Sequence, residues 1–440
     1  MLPKSSFLFI LAFFFLGLQL YSANQFDVSG EEAYYWTWST QLDWGYWHHP
    51  PMIAYGIALG TLILGKNALG VRAIGIVLHI LSATLLSNST AKPIQTFLLL
   101  CTLPQVAHTG MEAHPNVYLF SFLCLSLWAF RSQKWIWLSL FFFGCILCKI
   151  SAWLFIPLIS LSVFTTPQYR IPLIGSLLAS LFLSIPWILW ISNQDAFPLG
   201  LLYETKSLSL SISLLELFFM VGTVLIAPAL LPKECDQKMI WSVCLVIPLI
   251  TCGILPPSFV GVALGVSGAL YISVRFPSRL TTAILGCNLF LFTLQKINLH
   301  IPLLPSDVHT SHRFVGGKIL ADAIRAWGIE DVWTSSPFDA AWISFYSTNT
   351  AYTNAVLGTE SQYDIWKKSF PLSGILVQEN SRVFTIPHYF FSNLQSIAAY
   401  ADGYQEGTFV LIHQWNTALF YTEESIESSS EANTPSNEAD

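Results

Sequence analysis

The chain has 440 residues, of which 53% are hydrophobic and only 10% are charged, whereas a soluble globular protein carries about 25% charged residues. This composition excludes an ordinary soluble domain and predicts a polytopic α-helical membrane protein. The formal net charge of -6 comes from the tail at 423–440, which has six acids and no base. The charge therefore gives no indication of nucleic-acid binding.

Hydrophobic segments predict about eleven transmembrane helices. The first, at 7–21, is followed by no clear small-residue cleavage site and is interpreted as an uncleaved signal anchor. The apolar segment 52–64 is too short for a span, which needs about twenty residues, and is predicted to be an interfacial helix. The other crossings are predicted near residues 72–88, 94–109, 116–130, 135–148, 151–166, 171–191, 211–231, 239–255, 258–275 and 280–298.

Lysine and arginine residues divide unequally between the two sides of this predicted topology. Nine lie on the side of the amino terminus, and four lie in the short connections of the other side. Because cytoplasmic loops carry the excess of positive residues, the amino terminus is predicted to be cytoplasmic. The chain is then a multi-pass protein of a bacterial inner membrane, with its first long loop and its carboxy-terminal region in the periplasm.

Three regions are predicted along the chain. Residues 1–299 form a transmembrane domain whose first external loop spans 23–51, and residues 300–422 form a small soluble α/β domain. The tail at 423–440 is rich in Ser and Glu and is predicted to be disordered. Within the soluble domain, helices are predicted at 317–328 and 339–346, and strands at 330–334, 374–377, 382–386 and 409–414.

The most unusual polar segment lies at 28–54, between two apolar segments. It contains the adjacent acids Glu31 and Glu32, a dense run of Trp and Tyr, and the pair His48 and His49. Carboxylates can transfer protons, and aromatic rings suit a membrane interface or the face of a sugar. The pattern indicates a site at the membrane surface. The alternative is an interfacial loop that holds an aromatic belt and merely solvated acids.

The order of these residues resembles that of a known family. The strings G-E-E-A-Y-Y-W and G-Y-W-H-H-P-P-M-I-A are similar to the first external loop of the polyprenyl-phosphate-sugar glycosyltransferases, which include the protein-mannosyltransferase-like and aminoarabinose lipid A transferase-like enzymes. The stretch V-W-T-S-S-P-F-D is similar to their soluble carboxy-terminal domain. The resemblance implies a GT-C fold and an inverting transfer of a hexosyl or pentosyl group from a polyprenyl phosphate to an envelope glycolipid, polysaccharide or protein.

The resemblance also implies roles for individual residues. Glu31 occupies the position of the catalytic base, and Glu32 that of a second acid that orients the acceptor or tunes its neighbour. The sequence departs from the family pattern by having Glu31 in place of Asp and His48 in place of the Asp before His-Pro-Pro. Lys149 is expected to bind the lipid phosphate, and Arg72 to contact either a phosphate or an acid of the first loop. The residues expected to bind substrate are Tyr35, His48, His49, Arg72, Glu112 and Lys149.

The sequence predicts no cofactor. A divalent metal is the alternative, because His108 and His114 flank Glu112 on the external side, but the sequence supplies no convincing complete ligand set. Cys145 and Cys148 have the C-x-x-C spacing, yet they lie in an apolar segment without a second pair. All eight cysteines are therefore expected to act as small apolar packing groups.

Two other functions compete with glycosyl transfer. A transporter or lipid flippase would place ionisable residues near the middle of the membrane, whereas the unusual polar residues here gather outside it. A non-catalytic scaffold derived from the same fold would keep the aromatic loop, and the two departures from the family pattern leave this alternative open. The sequence favours the enzyme, whose partners would be a polyprenyl-phosphate sugar, a glycolipid or protein acceptor, and the bilayer.

Overall fold

The computed structural model of the chain contains two compact units, Met1–Phe314 and Val315–Asp440. In the first unit the structure describes residues 4–102, 112–149, 152 and 167–193, with short pieces between 282 and 293. In the second it describes residues 318, 321–322, 331–334, 336–347, 350–352 and 361–366, and five short strands between 374 and 418. The domain bounds predicted at 299 and 422 remain predictions.

Two helices in the described part of the first unit are long and apolar enough to cross a membrane by themselves, namely α1 and α4. The predicted interfacial helix is present as α3, which has the bounds that the sequence predicts. The helices of this unit are α1 (Lys4–Ala23), α2 (Gly30–Ser39), α3 (Met52–Leu64), α4 (Ala68–Asn88), α5 (Pro93–Cys101), α6 (Pro115–Arg131), α7 (Trp135–Cys148), α8 (Arg170–Leu183) and α9 (Ile185–Ser192).

The segment predicted as one crossing at 171–191 is divided into two helices. Helices α8 and α9 meet at Ser184, and their axes are bent by 43°. Pro186 lies in the first turn of α9 and has no backbone N–H to donate to the preceding turn, so the helix cannot continue regularly through it. The predicted crossing is therefore present as a bent pair of helices, which together are long and apolar enough for one span.

Several predicted crossings lie outside the described residues. They are those near 151–166, 211–231, 239–255 and 258–275, about half of 280–298 and the second half of 94–109. The count of about eleven transmembrane helices therefore remains a prediction.

Part of the aromatic run of the first loop forms a small buried core. Trp38 is fully buried and stacks on Tyr46, with the ring centroids 4.9 Å apart and the planes inclined by 5°. Tyr34 and Tyr35 pack against the same indole edge to face, at 5.0 Å and 4.9 Å. Tyr34, Trp38 and Tyr46 therefore pack the loop against itself, whereas Trp44 of the same run is exposed. The expected role of the run at a membrane interface or a sugar face remains a prediction.

The described part of the second unit contains a five-stranded mixed sheet of order β2-β1-β3-β6-β5. Strand β1 is parallel to β2 and β3, whereas β6 is antiparallel to β3 and β5. The elements are β1 (Asp331–Thr334), α10 (Pro337–Tyr346), β2 (Thr350–Tyr352), α11 (Gln362–Ile365), β3 (Gly374–Glu379), β4 (Phe391–Ser392), β5 (Gln395–Ala401), β6 (Phe409–Trp415) and β7 (Thr417–Ala418).

Predicted elements of the second unit coincide with some of these. Strands β1, β3 and β6 and helix α10 lie where the sequence predicts them, within a few residues. Most of the predicted helix at 317–328, the predicted strand at 382–386 and the tail at 423–440 lie outside the described residues.

Candidate functional site

Helix α2 presents two adjacent acids at its amino terminus. Ser29 caps the helix, because its Oγ accepts the N–H of Glu32 at 3.2 Å while Oε2 of Glu32 accepts the N–H of Ser29 at 2.9 Å. Successive helical residues point about 100° apart, so Glu31 and Glu32 face different surroundings. Glu32 is fully buried, whereas Glu31 is only partly buried.

A buried ion pair joins Glu32 to Arg72, which lies forty residues later on α4. Arg72 donates from Nε to Oε1 at 2.7 Å and from Nη2 to Oε2 at 2.6 Å, the two-point geometry that makes such pairs strong. The remaining guanidinium N–H groups donate to the carbonyl oxygens of Ala23, Phe26 and Asp27. All five N–H donors of Arg72 are therefore used within the protein.

The same carboxylate contacts the segment that precedes α6. Oε1 of Glu32 accepts the backbone N–H of Ala113 at 2.8 Å. The neighbours of Ala113 are Glu112, which is buried, and His114, which is partly buried. One carboxylate thus joins the first loop, helix α4 and the segment that holds two further candidate residues.

His49 is buried near other basic side chains. Lys149 is buried at the end of α7, and its Nζ lies 3.5 Å from Oδ1 of Asn116. Burial lowers the pKa of His49 well below its ordinary value, and the charges of Lys149, His114 and His48 lower it further. Nδ1 of His49 has no hydrogen-bond partner among the described residues, an arrangement that calls for a ligand or water. His48, His49, His114 and Lys149 are called the His49 group below.

His114 caps the amino terminus of α6 with its side chain. Its Nδ1 accepts the backbone N–H of Asn116 at 3.1 Å. Because burial and the nearby charges lower the pKa of His49, Lys149 supplies positive charge beside a neutral His49. The group therefore combines a cation with imidazole nitrogens, which suits an anionic ligand.

Helical spacing relates Glu31 to this group. Tyr35 follows Glu31 by four residues and so lies on the same face of α2. The ring centroid of Tyr35 is 5.9 Å from that of His49. The partly buried acid therefore lies on the helix face that packs against the His49 group.

Asp43 and Trp190 form a contact that the sequence analysis did not identify. Oδ2 of Asp43 accepts the indole N–H of Trp190 at 2.9 Å, which fastens the first loop to α9. Gly45 lies directly under this indole, since a Cβ there would be 2.5 Å from a ring carbon. The signal in the sequence was the D-W-G string, but its partner lies 147 residues away. The contact therefore holds the part of the first loop that follows α2 against helix α9.

Metal binding finds no support in the described residues, where no three His, Cys, Asp or Glu side chains could hold an ion together. His108 lies outside them. Cys145 and Cys148 are buried in α7, where Sγ of Cys148 donates to the carbonyl oxygen of Gly144 at 3.0 Å. The roles predicted for Glu31, Glu32 and the substrate-binding residues remain predictions, as does the absence of a cofactor.

Replacement of His49 by glutamine tests its neutral state. A histidine whose pKa is lowered by folding destabilises the protein only below about pH 6.5, where the unfolded chain takes up the proton. We expect the free energy of unfolding to fall below that pH, by up to about 1.4 kcal/mol per pH unit, and to fall less steeply in His49→Gln. Thermal unfolding in detergent across this pH range measures both slopes. Equal slopes would contradict a neutral, buried His49.

Comparison with known proteins gives a partial sequence relative. No family model matches the chain. The lipid A galacturonosyltransferase RgtD of Rhizobium johnstonii is 31% identical over 137 residues, which covers 30% of this chain and 29% of RgtD. The similarity thus extends over less than a third of that relative's length.

Two crystal structures of ArnT from Cupriavidus metallidurans share the fold over nearly the whole chain. The apo structure has a TM-score of 0.63 at 11% identity and covers 93% of this chain and 97% of ArnT. The structure bound to undecaprenyl phosphate has a TM-score of 0.61 at 11% identity and covers 93% and 98%. At this identity the likeness establishes the fold alone. The chain therefore has the polytopic helical membrane fold of ArnT.

Proposed function

We propose that this protein is an integral-membrane glycosyltransferase that moves a sugar from a polyprenyl-phosphate carrier to a hydroxyl of an envelope glycolipid. The fold shared with ArnT and the partial match to RgtD support this class. The observation that carries the proposal is the position of Glu31, on the face of α2 that packs against His49. In this proposal Glu31 takes the proton and the His49 group holds the phosphate.

The reaction follows from these two groups. Glu31 takes the proton of the acceptor hydroxyl as its oxygen attacks the anomeric carbon of the donor. The bond between that carbon and the phosphate oxygen breaks, and the electron pair leaves with the polyprenyl phosphate. Lys149 and the imidazoles of His48 and His49 stabilise the charge that develops on this leaving group. Attack opposite the leaving group inverts the anomeric centre.

The relatives narrow the substrates that we propose. The carrier is a polyprenyl phosphate, because an ArnT structure contains undecaprenyl phosphate. The acceptor is a lipid A-type glycolipid, and the sugar is a galacturonosyl group, because RgtD is a lipid A galacturonosyltransferase. Within this proposal Tyr35 and Glu112 line the site around the His49 group. The reaction takes place at the external face of the inner membrane, with the amino terminus in the cytoplasm.

An assay with the purified full-length protein tests the activity. The protein in detergent receives lipid A together with polyprenyl phosphate that carries either galacturonic acid or an aminopentose. We expect release of polyprenyl phosphate and a matching mass increase in lipid A with the galacturonosyl donor. Transfer of the aminopentose alone would show that the transferred sugar is an aminopentose and not galacturonic acid. Transfer from neither donor would contradict the proposal for this acceptor.

Replacement of Lys149 by alanine tests the proposed phosphate site. Because Lys149 would contact the donor phosphate, Lys149→Ala should raise the KM for the donor at least about tenfold, the loss expected for one charge-assisted hydrogen bond. The KM for the acceptor should change little. Lys134→Ala is the matched control, since Lys134 lies at the other end of α7 with its Nζ 4.7 Å from the centre of the Trp128 ring. An unchanged donor KM in Lys149→Ala would remove this residue from the phosphate site.

A further inference from the structure

The hydrogen-bonding positions of Glu32 and Arg72 are already used within the protein, so neither side chain can bind substrate in this arrangement. Each oxygen of Glu32 already accepts two hydrogen bonds, from Arg72 and Ala113 at Oε1 and from Arg72 and Ser29 at Oε2. The five N–H donors of Arg72 are equally occupied by Glu32 and by backbone carbonyl groups. Both side chains are at most 2% exposed. A base must reach the acceptor hydroxyl within about 2.6–3.2 Å. In this arrangement neither carboxylate oxygen of Glu32 is available to that hydroxyl.

We infer that Glu32 and Arg72 are positioning residues, a buried clamp that holds Glu31 at a fixed place relative to the His49 group. The inference rests on the proposed function and assigns catalysis to Glu31 alone among the two adjacent acids. Glu32 acts through its contacts and takes no proton from the acceptor. Arg72 acts through the same contacts and holds no phosphate.

The contacts of the clamp explain how it positions the site. Arg72 binds the chain that leads into α2, through the carbonyl oxygens of Phe26 and Asp27. Glu32 binds the first turn of α2 and, through Ala113, the segment that begins α6. That segment continues to Asn116, which contacts Lys149. The clamp therefore connects the helix that carries the base with the residues that hold the proposed phosphate.

Small displacements of the base relative to the bound donor lower kcat strongly. A displacement of about 1 Å between reacting groups can cost about a hundredfold in rate. The residues of the clamp are separated by 40 and 81 positions along the chain, so only tertiary contacts, of which the clamp is one, fix their distance. Loss of the clamp should consequently lower kcat and leave the KM for the donor nearly unchanged.

The test combines hydrogen exchange with kinetics on the full-length protein in detergent. In Glu32→Gln the single amide oxygen cannot accept all four hydrogen bonds, so the backbone amides of Ser29 and Ala113 should exchange at least about tenfold faster. Arg72→Lys keeps the charge but has only three donors, and the same two amides should lose protection. Asp27→Asn is the matched control, because it neutralises an exposed carboxylate on the same loop and keeps the carbonyl that Arg72 binds.

Kinetics separate a positioning role from a direct one. Glu32→Gln should lower kcat about a hundredfold, keep the donor KM within about twofold and retain the acidic limb of the pH profile that Glu31 produces. Loss of that limb in Glu32→Gln would make Glu32 the base. A raised donor KM with normal kcat in Arg72→Lys would make Arg72 a phosphate ligand. Unchanged exchange at Ser29 and Ala113 would overturn the clamp even in a protein that transferred no sugar, so the exchange arm is independent of the proposed activity.

Discussion

Replacement of Glu31 by glutamine is expected to lower kcat for sugar transfer at least about a hundredfold, the usual scale for a lost general base. The amide has the size of the carboxylate but takes no proton from the acceptor hydroxyl. Because Glu31 is only partly buried and the clamp is formed by Glu32, the variant should fold and reach the membrane normally. Initial rates at saturating donor and acceptor measure the loss, together with the amount of folded protein.

Two further variants sharpen this expectation. Glu31→Asp should keep partial activity, because the carboxylate remains and only its reach is shorter by one methylene. Asp27→Asn, which removes an exposed carboxylate three positions before the helix, should keep wild-type activity. Normal transfer by well-folded Glu31→Gln would remove Glu31 as the base, and full activity of both Glu31→Gln and Glu32→Gln would place the base at another residue. Absence of transfer by the wild-type protein would favour a non-catalytic scaffold.

Replacement of Arg72 by leucine is expected to destabilise the protein by about 3–5 kcal/mol, the range measured when one partner of a buried ion pair is removed. The variant leaves the carboxylate of Glu32 buried with no cation, and it leaves three backbone carbonyl groups without their donor. Thermal unfolding in detergent and the level of protein in membranes report the loss.

The double variant Arg72→Leu with Glu32→Leu separates the cost of the lone charge from the cost of the lost contacts. Removal of both charges should recover a large part of the stability, because a buried pair is often replaced by apolar residues at little cost. Activity should remain low, since the link to Ala113 is absent. A double variant less stable than Arg72→Leu would contradict the account of this pair.

Local features of the site could be predicted from the sequence because they depend on neighbouring residues. The capping box of Ser29 and Glu32 is such a feature, because its two residues are only three positions apart in the string S-G-E-E. The polar loop between apolar segments indicated where the acids and histidines lie. The bend within the crossing predicted at 171–191 is also local in origin, because Pro186 interrupts the helix there.

Features that depend on distant contacts could not be predicted in the same way. The sequence left two partners open for Arg72, a phosphate or an acid of the first loop, and the structure has Glu32. Asp43 and Trp190 meet across 147 residues without any shared pattern. Trp38 and Tyr46 are indistinguishable from interfacial aromatic residues by type, and only their packing shows that they form a core.

Mass spectrometry of envelope glycolipids tests the central claim most directly. Lipid A is extracted from cells that contain the gene, cells that lack it, and cells in which Glu31→Gln replaces the wild type at equal membrane level. We predict a lipid A species with the added mass of one hexuronic acid in the first cells and its absence from the other two. Identical lipid A in all three would contradict glycosyl transfer to this acceptor, and the same added sugar in the Glu31→Gln cells would contradict the role of Glu31.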